Sequence, residues 1–106
     1  MQLVFCPAAR EEAREAYLHL AEADEELAID FERQLRLALR AIEKNPEACR
    51  IRRFAVRRKN LSRFKRHYVA YMLWQEQIVI IAIGHASCRP YYWYRRPKNF
   101  RDNSPG

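Results

Sequence analysis

The fold is decided by residues 66–84, which read RHYVAYMLWQEQIVIIAIG. β-Branched and aromatic residues dominate the stretch, and the polar triplet Gln75-Glu76-Gln77 interrupts it. The pattern therefore predicts strands over 66–74 and 78–84, joined by a tight hairpin turn. Both strands carry apolar residues on both faces, with Val79, Ile81 and Ile83 on one side of the last strand and Ile78, Ile80 and Ala82 on the other. We expect the last strand to be central in a sheet.

Two helices and two further strands complete the predicted domain. Residues 2–5 form an apolar strand that ends at Cys6-Pro7, and the proline begins a helix. Asp24 can cap a second helix that stops at Asn45-Pro46, and the short connection forces the helices into an antiparallel hairpin. Residues 56–63 are polar and predict an edge strand. The order is β-α-α-β-β-β, an α+β fold with a helical hairpin packed on a twisted, mainly antiparallel four-stranded sheet.

Length and composition indicate one small domain. The 106 residues are 49% apolar, enough for one modest core without metal or disulfide staples. Three separated cysteines, Cys6, Cys49 and Cys88, fit a reducing compartment and receive no chemical role. The apolar run 78–83 is too short to span a membrane, and the N-terminus lacks a signal pattern. We expect a cytoplasmic protein with a domain over 1–96, a loosely held tail over 97–106 and no membrane partner.

The positive charge is concentrated in one half of the chain. Residues 1–47 contain 6 Lys+Arg and 11 Asp+Glu, a balance of −5, whereas residues 48–106 contain 14 and 2, a balance of +12; together they give the net charge of +7. Such a chain either neutralises itself on folding or presents a basic face to an anionic partner. Nucleic acid and an acidic protein segment both fit that partner.

The densest cationic stretch is 50–66, where nine of seventeen residues are Lys or Arg. On strands, alternation would place several of them on one face at roughly the spacing of phosphates. A solvated edge strand that resists aggregation is the alternative. The candidates for binding nucleic acid or an acidic protein are Arg53, Arg57, Arg58, Lys59, Arg63 and Lys65.

The loop after the last strand carries a possible catalytic set, His85, Arg89 and Tyr92. Cleavage of RNA by its own 2′-hydroxyl needs a base, a cation against the phosphorane charge and an acid, and these side chains could supply them. Alternatively, His85 is structural and the loop aromatics pack on the sheet edge or stack bases. His19 and His67 are interpreted as structural. No motif calls for a metal or a cofactor.

Several of these features together resemble the RelE/ParE superfamily of toxins. They are the element order, the helix start Pro7-Ala8-Ala9-Arg10-Glu11-Glu12, the Asn45-Pro46 stop, the Arg63-Phe64 corner and the ending His85…Pro90…Tyr92-Trp93. The resemblance implies the toxin of a bacterial type II toxin–antitoxin module, with roles in growth inhibition and plasmid stabilisation. It also implies a cognate antitoxin whose C-terminal segment wraps the toxin and covers its basic sheet surface.

The branches of this superfamily differ in target. RelE-like members cleave mRNA in the ribosomal A site, and ParE-like members poison DNA gyrase without nuclease activity. His85 and Tyr92 match the ending H-x-x-R-x-P-x-Y-W, but Cys88 stands where relatives have arginine, Arg89 falls one place late, and Lys65-Arg66 replaces the usual Pro-Tyr. These departures favour gyrase poisoning. The alternatives are a ribosome-dependent mRNA endoribonuclease that uses His85, Arg89 and Tyr92, and a non-toxic nucleic-acid-binding module.

Overall fold

The computed structural model of the chain describes residues 1–103, which form three helices and one four-stranded sheet. The α+β class and the order β-α-α-β-β-β are confirmed, and a C-terminal helix is added. The elements are β1 (Gln2–Phe5), α1 (Pro7–Ala23), α2 (Glu25–Lys44), β2 (Arg57–Asn60), β3 (His67–Trp74), β4 (Gln77–His85) and α3 (Arg96–Asn103).

The sheet has the strand order β1-β4-β3-β2, so β4 is internal and β2 is at an edge, as predicted. β1 runs parallel to β4, and the other two pairings are antiparallel. The turn between β3 and β4 has two residues, Gln75 and Glu76, both with positive φ, and Gln77 already pairs with Trp74. Positive φ at both central residues suits the right-handed twist of a tight hairpin.

A register shift in β4 changes which side chains share a face. Ala70 pairs with Ala82 whereas Tyr71 pairs with Ile80, so Ile81 is the extra residue. Beyond this bulge the alternation is inverted: Ile83 joins Ile78 and Ile80 in one core, and Ala82 joins Val79 and Ile81 in the other. The predicted grouping of these six residues was therefore wrong at Ala82 and Ile83, because a bulge advances the chain by one residue.

The helical hairpin covers one face of the sheet. Asp24 ends α1 and caps α2, because its side chain accepts a hydrogen bond from the Glu26 amide at 3.0 Å. From α2, Phe31, Leu35 and Ile42 pack into a core with β3 and β4 residues that include Tyr71 and Ile80.

The chain after β4 covers the opposite face. Trp93 is buried there, and its indole N–H donates to the Tyr68 hydroxyl at 3.1 Å. In α3, Pro97 is buried and Phe100 packs edge-on against Trp74 at 5.9 Å. These contacts differ from the expected loose tail over 97–106, because a second apolar sheet face has to be covered. Residues 104–106 of that tail lie outside the described residues, and the domain limits 1–96 stay a prediction.

Gly84 lies under the ring of Tyr68, its partner across the β3–β4 pair. A Cβ atom at position 84 would lie 2.2 Å from the Tyr68 Cζ atom. We expect Gly84→Ala to lower the free energy of unfolding by at least about 1–3 kcal/mol, as overpacking in cores does, measured by urea denaturation.

The double variant Gly84→Ala/Tyr68→Leu is the control. If the ring is the obstacle, the double variant loses less stability than the two single losses added together. Additive losses would contradict this explanation.

Candidate functional site

A cleft lies at the end of the sheet, on the face opposite the helical hairpin. We call it the sheet-end cleft; its volume is about 220 Å³. The start of β2, the beginning of β3 and the loop after β4 form its walls. The lining residues are Arg52, Val56, Arg58, Tyr68, His85, Ala86, Cys88, Pro90, Tyr91 and Trp93. It therefore joins two arginines, a histidine and three aromatic side chains in a small concave site.

Arg58 is held across the cleft wall by two contacts. Its guanidinium carbon lies 3.9 Å from the centroid of the Tyr68 ring, and its Nε donates to the Asn60 Oδ1 at 2.9 Å. The Tyr68 ring is therefore held by two contacts: Arg58 lies over its face, and the Trp93 indole N–H donates to its hydroxyl. The site thus offers a positioned cation without a carboxylate among its lining residues.

His85 ends β4 with its imidazole tied to the following loop. The Ser87 amide donates to the Nδ1 atom at 3.0 Å, and the Ser87 Oγ lies 2.7 Å from the same nitrogen. Because a backbone N–H can only donate, Nδ1 is the acceptor, and Nε2 carries the proton of the neutral ring. The lone pair that a general base requires is therefore already engaged by Ser87.

Tyr92 points away from the cleft towards α1. Its hydroxyl donates to the Glu12 Oε2 at 2.5 Å, and Arg96 binds the same carboxylate through two nitrogens at 2.8 and 3.1 Å. The Ile83 amide also donates to Glu12, at 3.1 Å. Burial, followed by the hydrogen bond to Glu12, raises the pKa of the Tyr92 phenol well above its usual range. Tyr92 is thus part of a structural network.

The three residues of the predicted catalytic set do not converge on the cleft. His85 lines it, Tyr92 is bound to Glu12, and Arg89 is exposed on the loop. The Arg89 side chain has no hydrogen bond or ion pair to any residue in the described range 1–103. Their proximity in sequence placed them in one loop but left the direction of each side chain open.

The predicted binding cations are divided between two faces. Arg57 donates to the carbonyls of Glu47 and Cys49 at 3.2 and 2.5 Å, and Arg63 pairs with Asp30 of α2 at 2.6 Å. Lys59 is half-buried and pairs with Val69, which lies in the core under the hairpin. These three cations thus lie towards the helices.

The remaining three cations have other positions. Arg53 and Arg58 lie on the side of the cleft, and Lys65 is exposed between β2 and β3. The sequence reasoning missed Arg52 and Tyr68 as lining residues. The alternation of β2 could have found Tyr68, because Arg58 and its cross-strand neighbours share one face.

Residues 1–103 contain neither a metal-ligand cluster nor a membrane-spanning helix. Within that range no three histidine, cysteine or acidic side chains are grouped as metal ligands would be. None of the helices described there is long and apolar enough to cross a bilayer.

Comparison with known proteins identifies one family. A family model described as the ParE toxin of the type II toxin–antitoxin system parDE matches residues 3–90. No curated protein matches the chain. The matched range includes both helices of the hairpin, the four strands apart from Gln2 at the start of β1, and every lining residue of the cleft except Tyr91 and Trp93.

The contacts of Glu12 should contribute to the stability of the fold. We expect Glu12→Ala to lower the free energy of unfolding by about 2–3 kcal/mol, because it leaves the Tyr92 hydroxyl and the Ile83 amide without an acceptor and leaves the Arg96 guanidinium only the Ile81 carbonyl. Glu11→Ala is the matched control: within residues 1–103 Glu11 pairs only with exposed Arg14, so this substitution should cost less than about 1 kcal/mol. Equal losses in urea denaturation would contradict this account.

His67 yields a prediction about pH. It packs edge-on against Phe31 and lies 4.9 Å from that ring and 4.6 Å from His85. Burial, and then the nearby His85, lower the pKa of His67 to about 4. Because the unfolded chain takes up this proton near the ordinary pKa of about 6.5, stability should fall as the pH drops from about 6.5 to about 4.

The variant His67→Gln should lose this part of the pH dependence, measured by urea denaturation at a series of pH values. His19→Gln on the exposed surface of α1 should keep it. An unchanged pH profile in His67→Gln would rule out His67 as the source.

Proposed function

Because the chain belongs to the ParE toxin family of type II toxin–antitoxin systems, we propose that it inhibits growth by poisoning DNA gyrase in the cytoplasm. In this proposal it forms no covalent intermediate and cleaves no RNA itself. A cognate antitoxin neutralises it. The observation that carries the choice of target is the hydrogen bond from Tyr92 to Glu12, which engages the phenol that the family resemblance assigns as the acid of a nuclease.

A nuclease mechanism would place three demands on this site. It needs a base with a free lone pair near the 2′-hydroxyl, a cation against the phosphorane, and an acid for the leaving oxygen. The Nδ1 atom of His85 accepts from Ser87, and the raised pKa of Tyr92 weakens it as an acid. Arg52 and Arg58 could still bind a phosphate in the cleft. The arrangement therefore supports binding better than acid–base catalysis.

We propose that an acidic segment of the antitoxin covers the cations left free by the fold. Within residues 1–103, Arg53, Arg58 and Lys65 pair with no carboxylate, whereas Arg57 and Arg63 are engaged on the hairpin side. Beyond Arg57, which forms a bridge to Ile51, no strand among residues 1–103 pairs with the outer edge of β2. An extended segment could add there as a further strand. Charge complementarity would then supply the rest of the attraction.

The target is tested by assaying one purified preparation against both alternatives. We expect the wild-type protein to trap gyrase–DNA cleavage complexes, seen as linear plasmid after denaturation, and to leave mRNA intact in a purified translation reaction. Tyr92→Phe should retain gyrase poisoning in proportion to its remaining folded fraction, because the hydroxyl has a structural role.

Cleaved mRNA that disappears with His85→Ala would overturn the proposal and establish the RelE-like endoribonuclease instead. Co-expression with the adjacent short reading frame should restore growth. A protein that is harmless when expressed alone and forms no cleavage complexes would support a non-toxic binding module.

A further inference from the structure

An exposed group of aromatic rings lies beside the sheet-end cleft, where the 3₁₀ turn Arg53–Ala55 meets the chain after β4. The Phe54 ring lies 6.0 Å from Tyr91 and 5.8 Å from Tyr94. Phe54 and Tyr94 are each 39% exposed, and Tyr91 is half-buried. Together with Arg53 and Arg95, these residues form what we call the aromatic–arginine cluster. Its rings present part of their surface to solvent.

Two arginines accompany the rings. The Arg53 guanidinium carbon lies 5.1 Å from the Phe54 centroid and 5.3 Å from the Tyr91 centroid. Arg95 lies 5.3 Å from the Tyr94 centroid and donates to the Tyr94 hydroxyl at 2.8 Å. Neither arginine pairs with a carboxylate in residues 1–103. The positive charge next to the rings is therefore uncompensated.

The backbone holds these rings at a conformational cost. Phe54, Ala55 and Tyr91 have φ values of 62°, 58° and 56°, a region that bulky residues rarely adopt. Strained backbone persists where the surroundings impose it and is frequent at binding sites. Phe54 packs against buried Trp93 with ring centroids 6.4 Å apart, yet 39% of the residue stays exposed. The turn thus leaves part of this residue accessible to a partner.

A groove extends from the cluster along α3. Its volume is about 640 Å³, and its lining residues are Phe54, Ala55, Tyr94, Arg95, Pro97, Lys98, Asn99 and Arg101. Lys98 pairs with Asp102, and neither Arg95 nor Arg101 along this groove has a carboxylate partner among residues 1–103. The rings at one end and the cations along the wall follow the pattern of a surface that binds bases and backbone phosphates together.

From this arrangement we propose that the aromatic–arginine cluster binds unpaired bases of a single-stranded nucleic acid. An acidic peptide would neutralise the arginines but make no use of the exposed aromatic surface of Phe54 and Tyr94. Duplex DNA would offer phosphates, but its bases are stacked on one another and closed to the rings. Single strands offer both phosphates and free base faces, and stacking on aromatic rings tolerates any sequence.

The test compares two oligonucleotides with the same charge. The full-length protein is titrated into a labelled oligothymidylate of about 20 nucleotides, or into an abasic strand of equal length, and binding is followed by fluorescence anisotropy. We expect the oligothymidylate to bind at least about fivefold more tightly, since stacking adds to the shared phosphate attraction.

Variants assign the effect to individual rings. Phe54→Leu and Tyr94→Leu should each weaken oligothymidylate binding about fivefold or more, while Tyr94→Phe, which keeps the ring, stays within about twofold. Arg40→Ala on α2 is the matched control for loss of a cation far from the cluster and should change the affinity less than about twofold. Circular dichroism shows whether each variant is folded. If Phe54→Leu is unfolded, the affinity of Tyr94→Leu for oligothymidylate tests the proposal.

Equal affinity for the abasic strand, or leucine variants that bind as well as wild type, would overturn the proposal. The outcome is separable from the gyrase test. If the protein traps gyrase cleavage complexes but does not prefer free bases, the proposed function stands and only the proposed binding surface is wrong. If the protein prefers free bases but does not affect gyrase, the proposed binding surface stands and the proposed target is wrong.

Discussion

The carboxylate of Glu12 lies where the three layers of the molecule meet. Glu12 belongs to α1, and its carboxylate accepts a hydrogen bond from the Ile83 amide of β4. It also accepts hydrogen bonds from Tyr92 and Arg96, which belong to the segment that covers the other face of the sheet. The side chains of Glu12 and Arg96 are 21% and 23% exposed, so water screens the pair only in part. Each donor has its acceptor, which a partly buried charge requires to be tolerated. The position of the C-terminal segment, and hence of the sheet-end cleft, depends on this group.

The sheet shows how far the sequence pattern extends. Consecutive apolar residues in β4 correctly predicted an internal strand, because only a strand covered on both faces excludes polar side chains. The same pattern implied a second covering layer, yet residues 97–106 are too polar to suggest one by composition. Trp93, Pro97 and Phe100 supply it with few apolar side chains. The bulge at Ile81 had no signal, since every residue near it is apolar and either register buries them.

The sequence predicted which residue types the candidate site contains, but not where their side chains point. Alternation along β2 places Arg57 and Lys59 on one face and Arg58 on the other, but it does not tell which face meets the hairpin. Arg57 finds two backbone carbonyls there, and Arg63 finds Asp30. In the loop after β4, the positions of His85 and Tyr92 were clear, whereas their partners Ser87 and Glu12 decide what each can do. The spacing of residues along the chain does not reveal a partner as distant in sequence as Glu12 is from Tyr92.

The same anchoring explains how so small a domain can present rings to solvent without losing order. Along the chain after β4, Tyr92, Trp93 and Arg96 turn inward to fixed partners, while half-buried Tyr91 precedes them and exposed Tyr94 and Arg95 lie between Trp93 and Arg96. Each outward residue is thus adjacent to one that is hydrogen-bonded to the core. A ring held in this way loses little conformational freedom when a partner stacks on it, so more of the contact energy remains as affinity. The polarity of the chain completes the arrangement, because the acidic residues lie mainly in the hairpin and leave this side of the sheet positively charged.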